Sequence, residues 1–210
     1  MTKKILHIVA SPRGEASQST KLANAYLDAA TQADPSAMVD TLELWHEDLP
    51  EFDGDKAAAK MTFFGVGEMQ SAERTAWDHV VEITTRFTDA DVYVFSVPMW
   101  NGGIPYKLKH YIDIITQPGL LFGFDTQDGY FGLLEGKKAI VFYTSGVWSP
   151  GADAKYGSDF HSEYLGWWLD FVGIKDVGIG RFQPSLLTGD PEGDQKAAIE
   201  NAIALSSELV

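Results

Sequence analysis

Short, unbroken apolar runs alternate along this chain with longer stretches that carry apolar residues every three or four places. Residues 5–10 are a compact apolar run with β-branched members, stopped by Ser11-Pro12, and read as a buried strand. Residues 17–34 follow, with Leu22, Tyr26 and Ala29 or Ala30 at helical spacing, and Asp34-Pro35 ends that helix. A second strand is predicted over 39–45. Residues 46–70 hold Pro50, Gly54, Gly65 and Gly67 and read as irregular, with a short helix around 56–62. Trp77, Val80, Val81, Ile83 and Phe87 mark a helix over 72–87. The run 91–97 is a third strand stopped by Pro98.

Leu108, Tyr111, Ile112 and Ile115 share one face of a helix over 106–116. Residues 117–136 are rich in Gly and Phe without a helical period. A fourth strand covers 139–144, and a helix covers 158–172 with Tyr164, Leu165, Trp168, Leu169 and Phe171. A fifth strand spans 176–182, and a last helix spans 195–209 after a Gly189-Asp190-Pro191 turn. Strand and helix alternate five times, which predicts an α/β fold, a doubly wound parallel sheet with helices on both faces. No internal repeat or low-complexity linker interrupts the 210 residues, so residues 1–210 are expected to form one domain.

Composition narrows the chemistry. With 45% hydrophobic and 22% charged residues, the chain can bury a full core. Sixteen Lys plus Arg stand against 30 Asp plus Glu, a net charge of -14, which disfavours nucleic acid and anionic lipid as partners. No apolar stretch is long enough to span a membrane, and a cytoplasmic protein is expected. There is no cysteine, so disulfides, thiol redox motifs and Cys-ligated metal centres are excluded. Redox chemistry here would need a borrowed organic carrier. The five histidines are scattered without metal-ligand spacing, and His7, inside the first strand, reads as a core residue.

In open parallel sheets, ligands sit beyond the carboxyl ends of the strands, where strand order reverses. For five strands in order 2-1-3-4-5, the loops after the first, third and fourth strands line that point. The first runs Ser11-Pro12-Arg13-Gly14-Glu15-Ala16-Ser17-Gln18-Ser19 into a helix. Free N–H groups and the helix dipole favour an anion there, with serine hydroxyls and Arg13 in support. Helix capping alone would also explain the serines. The second is Pro98-Met99-Trp100-Asn101-Gly102-Gly103. Met and Trp suit a flat aromatic ligand, and Asn101 can donate and accept at a heteroaromatic edge. The third, Thr144-Ser145-Gly146-Val147, presents small residues whose backbone N–H groups can approach a ligand closely.

Together these loops resemble the FMN-dependent NADH-azoreductase and NAD(P)H:quinone oxidoreductase family, within the flavodoxin-like fold. The pieces are Ser17-Gln18-Ser19, Met99-Trp100-Asn101 with Ile104 and Leu108-Lys109, Gly136-Lys137-Lys138-Ala139, and GWWLDFVGIKDV from Gly166 to Val177. The resemblance implies FMN, with its phosphate held by Ser11, Ser17, Gln18 and Ser19. It places the ring against Pro98, Met99, Trp100, Asn101 and Gly102, and the pyrimidine end at Thr144, Ser145, Gly146 and Val147. It implies NADH or NADPH as co-substrate, a quinone-type or azo acceptor, and a ping-pong order with both substrates using one face. Trp100, Phe122, Phe124 and Phe131 would line the acceptor pocket, the phenylalanines partly from the other subunit of a homodimer. Where the family often carries an aromatic after Met-Tyr-Asn, Gly102 stands here, which widens the pocket or lets Trp100 fill it.

Two other readings were open. A non-enzymatic flavin electron carrier suits the fold and the acidic charge. Val147-Trp148-Ser149-Pro150-Gly151 is one residue short of the serine hydrolase elbow, but Pro150 removes an oxyanion-hole N–H. The adjacent Trp167 and Trp168 point about 100° apart on a helix, so one sheet cannot bury both. Either one meets a partner chain, or the 148–164 loop folds over it.

Overall fold

The computed structural model describes residues 2–209. In chain order its elements are β1 (Lys4–Val9), α1 (Gln18–Ala33), β2 (Met38–Glu43), α2 (Gly54–Thr62), α3 (Ser71–Thr88), β3 (Val92–Pro98), α4 (Tyr106–Ile115), β4 (Phe122–Asp125), β5 (Gly129–Gly132), β6 (Lys138–Thr144), α5 (Ser162–Phe171), β7 (Asp176–Phe182) and α6 (Pro191–Leu205). Five strands pair in parallel in the order β2-β1-β3-β6-β7, and β4-β5 is a separate hairpin. The five-strand order is the one expected, with β6 and β7 as the fourth and fifth strands.

Alternation along each strand sorts the core into two clusters. Leu6, Ile8, Tyr93, Phe95, Val141 and Tyr143 pack with Val80, Phe87, Tyr111 and Ile112 and with Leu165, Trp168 and Leu169. Ile5, Val92, Val94, Ile140 and Phe142 pack with Leu22, Tyr26, Ala198 and Ala202. The central strand β3 is buried from Val92 to Val97, as its unbroken apolar run requires.

Three local features differ from the expectations. The stretch 117–136 contains the hairpin β4-β5, whose Tyr130 and Phe122 rings pack on Phe171 at 5.7 and 5.2 Å between centroids. A side chain at Gly132 would sit 2.2 Å from the Gly173 backbone, so only glycine lets this hairpin press on the end of α5. Helix α5 starts at Ser162 rather than 158, because the Asp159 carboxylate accepts from the backbone N–H of His161 and Ser162. Helix α6 starts at Pro191 rather than 195: Asp190 caps it by accepting from Gly193 N–H, and Pro191 fits its first turn.

Candidate active site

The strand ends β1, β3 and β6 are tied into one edge. Ala10 N–H donates to Ser96 O, and Met99 N–H donates to Thr144 O at 2.7 Å. The three loops that leave this edge meet around a cleft of about 300 Å³. It is lined by Ser11, Arg13, Ser17 and Gln18 from the first loop, Pro98, Met99 and Trp100 from the second, and Thr144, Ser145 and Gly146 from the third. Arg13 is the one charged side chain among the described lining residues.

The first loop makes an anion cradle. Ser17 caps α1, its Oγ accepting from Thr20 N–H at 3.3 Å and lying 3.1 Å from Ser19 Oγ. Ser11, Ser17, Ser19 and Thr20 are all buried, and the buried Thr20 Oγ1 has no hydrogen-bond partner. A buried hydroxyl without a partner is costly, and a cluster of hydroxyls suits an oxygen-rich ligand. The 16-residue helix α1 adds its positive dipole end. Hydroxyls, a helix N-terminus and a guanidinium suit a phosphate monoester, so these residues fit the phosphate of FMN.

The second loop is a tight reversal. Trp100 and Gly103 exchange N–H···O bonds of 2.8 and 2.9 Å across Asn101-Gly102, whose φ values are 51° and 81°. Two positive φ values in a two-residue turn are the Asn-Gly signature of a type I′ turn. Trp100 does not fill the space beside Gly102. Its ring packs on Trp45 and Tyr106, at 5.5 and 6.2 Å between centroids. Trp45 in turn donates its indole N–H to Ala10 O at 2.9 Å, which locks this aromatic wall to the end of β1.

The third loop carries a strap absent from the sequence expectations. Ser185 N–H donates to Ser145 O, and Leu186 and Leu187 N–H both donate to Gly146 O, at 2.8 to 3.1 Å. Ser185 and Leu186 thereby line the cleft. A Cβ on Gly146 would approach Leu186 Cδ1 to 3.1 Å, so glycine keeps this end of the cleft open. A serine and a leucine after the last strand carry no local signal of such a place.

Of the expected site residues, Ser19 lies just beneath the cradle, Asn101 and Gly102 form the tip of the turn, and Val147 is exposed outside the lining. Phe122 is buried under Tyr130 and Phe171, while Phe124 and Phe131 are exposed on the hairpin; none of the three lines the cleft of its own chain. His7 is buried with Nε2 2.7 Å from Ser96 Oγ, the core histidine expected. His161 is fully buried, edge-on to Tyr143, and makes no hydrogen bond to Ser149, so no hydrolase dyad forms. Among the described residues no group of His, Asp or Glu is placed to hold a metal, and no helix is long and apolar enough to cross a membrane.

A parallel sheet with an anion cradle at its first strand–helix turn and an aromatic-walled cleft beyond the strand ends defines an α/β protein that binds a phosphate-bearing cofactor. The chain belongs to the flavodoxin-like fold family, whose sequence profile matches residues 3–205. It is 61% identical over 196 residues to an FMN-dependent NADH:quinone oxidoreductase of Ruegeria pomeroyi, covering 93% of this chain and 96% of that one. It is 41% identical to the protein of that name from Desulfotalea psychrophila, covering 98% and 97%. The solved structure of an FMN-dependent NADH-azoreductase from Bacillus anthracis, in complex with FMN, superposes with a TM-score of 0.87 at 26% identity, covering 99% of each chain.

Proposed function

We propose that this protein is an enzyme that binds FMN in the cleft and passes two electrons from NADH or NADPH to a quinone, with azo compounds as a second acceptor class. The observation that carries this reading is the cradle itself: Ser11, Arg13, Ser17 and Gln18 line one side of a cleft that Met99 and Trp100 line on another, with the buried hydroxyls of Ser19 and Thr20 behind Ser17 at the head of α1. The names of the relatives at 61% and 41% identity agree with it.

In this reading Ser11, Ser17, Gln18, Ser19 and Thr20 hold the phosphate, and Arg13 offsets its charge against an acidic protein. Pro98, Met99, Trp100, Asn101 and Gly102 would support the ring, and Thr144, Ser145 and Gly146 would lie at its pyrimidine end, with Val147 at the outer edge of that loop. Bound FMN supplies a two-electron carrier that no side chain here can replace. In this reading donor and acceptor would take turns at one face of the flavin, a ping-pong order. A non-enzymatic electron carrier is disfavoured by the names of the relatives, which are those of NADH:quinone oxidoreductases.

The two hydrophobic clusters support helices on both faces of the sheet, α1 and α6 on one, α3, α4 and α5 on the other, in a single domain. We infer a homodimer as well. Trp168 is buried in its own chain and donates its indole N–H to Thr116 Oγ1 at 2.9 Å, while Trp167 stays 58% exposed, stacked on Phe171. The 148–164 loop does not cover Trp167. Through Phe171 its ring continues to Tyr130 and Phe124, an apolar surface that a second copy would bury. The cytoplasm, which holds the nicotinamide donor, is the proposed location.

Heat-released cofactor from the purified protein should be FMN. Each lost hydroxyl facing a charged phosphate costs about 1–2 kcal/mol, so Ser17→Ala with Ser19→Ala should weaken FMN binding roughly a hundredfold. Unchanged affinity in a folded double variant, or release of FAD, would refute the assignment.

A further inference from the structure

We propose that Phe160 is a wall of the acceptor pocket and sets the size of acceptor that lies on the open face. The proposal rests on the reading that the FMN ring lies against Pro98 to Gly102. The tip of that loop carries no side chain at Gly102, where φ of 81° would strain any L residue. The space beside the tip is taken from another element. Phe160 N–H donates to Gly102 O at 2.9 Å. A Cβ at Gly102 would lie 3.2 Å from Ser158 O and 3.6 Å from the Phe160 ring.

The ring is exposed yet not loose. Phe160 is 65% exposed, the most exposed phenylalanine among the described residues. On its two sides the backbone is pinned. Asp159 accepts from His161 N–H at 3.0 Å and from Ser162 N–H at 2.7 Å, and His161 is fully buried against Tyr143. A large apolar side chain held out into water on a pinned backbone is placed for a ligand, since ordering costs are already met. Phe160 also lines a largely apolar groove of about 820 Å³, with Gly103, Ile104, Tyr164 and Trp167. A planar acceptor that leaves the loop tip toward the groove meets this ring first. On this proposal a one-ring quinone is held short of the Phe160 ring, whereas a fused three-ring quinone reaches it.

The test uses the FMN-loaded protein and compares Phe160→Ala and Phe160→Trp with the parent. Three quantities are read: FMN dissociation, the shift of the visible flavin band on titration with 2-naphthol (planar and not reducible by two electrons), and kcat/KM for a benzoquinone against an anthraquinone. FMN affinity should stay within about twofold. The anthraquinone-to-benzoquinone ratio should rise about tenfold in Phe160→Ala and fall in Phe160→Trp, chiefly through KM, and 2-naphthol should bind more weakly in Phe160→Ala. An unchanged ratio with unchanged 2-naphthol affinity would overturn the proposal. Loss of FMN from Phe160→Ala would overturn it too, by making Phe160 a support of the cofactor site. A parent protein that holds no FMN would instead refute the functional reading beneath it.

Discussion

His7 is buried in the middle of β1 and His161 just before α5, and burial lowers the pKa of each to about 4. For His161 the Asp159 carboxylate opposes that shift without cancelling it. In the unfolded chain both titrate near the ordinary value of 6.5, so between about 6.5 and 4 the unfolded state binds more protons. Their contribution is therefore complete above that window and lost as pH falls through it. At pH 5 the loss should be about 2 kcal/mol for each histidine. Urea midpoints should drop between pH 7.5 and pH 5, and His161→Gln should flatten the drop relative to the parent. A variant with the parent's pH slope would show that His161 is not held neutral in the fold.

At the scale of single elements, α5 illustrates what a pattern can and cannot specify. Adjacent tryptophans require that one leave the core, but both satisfy a helical period with their neighbours. Packing decides: Trp168 joins Leu165 and Leu169 in the core and reaches Thr116, while Trp167 joins Tyr164 and Phe171 outside it. Trp167→Glu should leave the melting temperature nearly unchanged and convert the proposed dimer to a monomer by light scattering. A parent protein that is already a monomer, or a variant that stays dimeric, would remove Trp167 from the interface. Other elements hid their signals. Strands β4 and β5 read FGFD and GYFG, where glycines break the alternation that marks a strand. Asn101-Gly102 carried the turn signature openly, yet its amide looked equally suited to a ligand edge. Asp190-Pro191 was a cap and a first turn, read as a plain turn.

Across the whole molecule, the central strands were legible because buried parallel strands are unbroken apolar runs, and the doubly wound order 2-1-3-4-5, taken as the premise for such a sheet, fixes which loops converge. Hence Ser11, Ser17, Gln18, Pro98, Met99, Trp100, Thr144, Ser145 and Gly146 come together as expected. The 185–187 strap and Phe160 were not legible. Each reaches the site through backbone hydrogen bonds to a distant loop, Ser185 to Ser145 and Phe160 to Gly102, and backbone bonding leaves no trace in residue type. Arg13, by contrast, was legible beside the serines, and it is the one charged side chain among the described lining residues of the cleft; in the proposed reading it would offset a dianion within a chain of net charge -14.

In the proposed function one face of bound FMN serves a nicotinamide donor and a quinone in turn. An anaerobic titration of the FMN-loaded protein separates the two half-reactions. Stoichiometric NADH alone should bleach the visible flavin band, and stoichiometric benzoquinone, added after the nicotinamide is removed, should restore it in full. A band that NADH cannot bleach, or one that recovers only while the nicotinamide is still bound, would contradict the account.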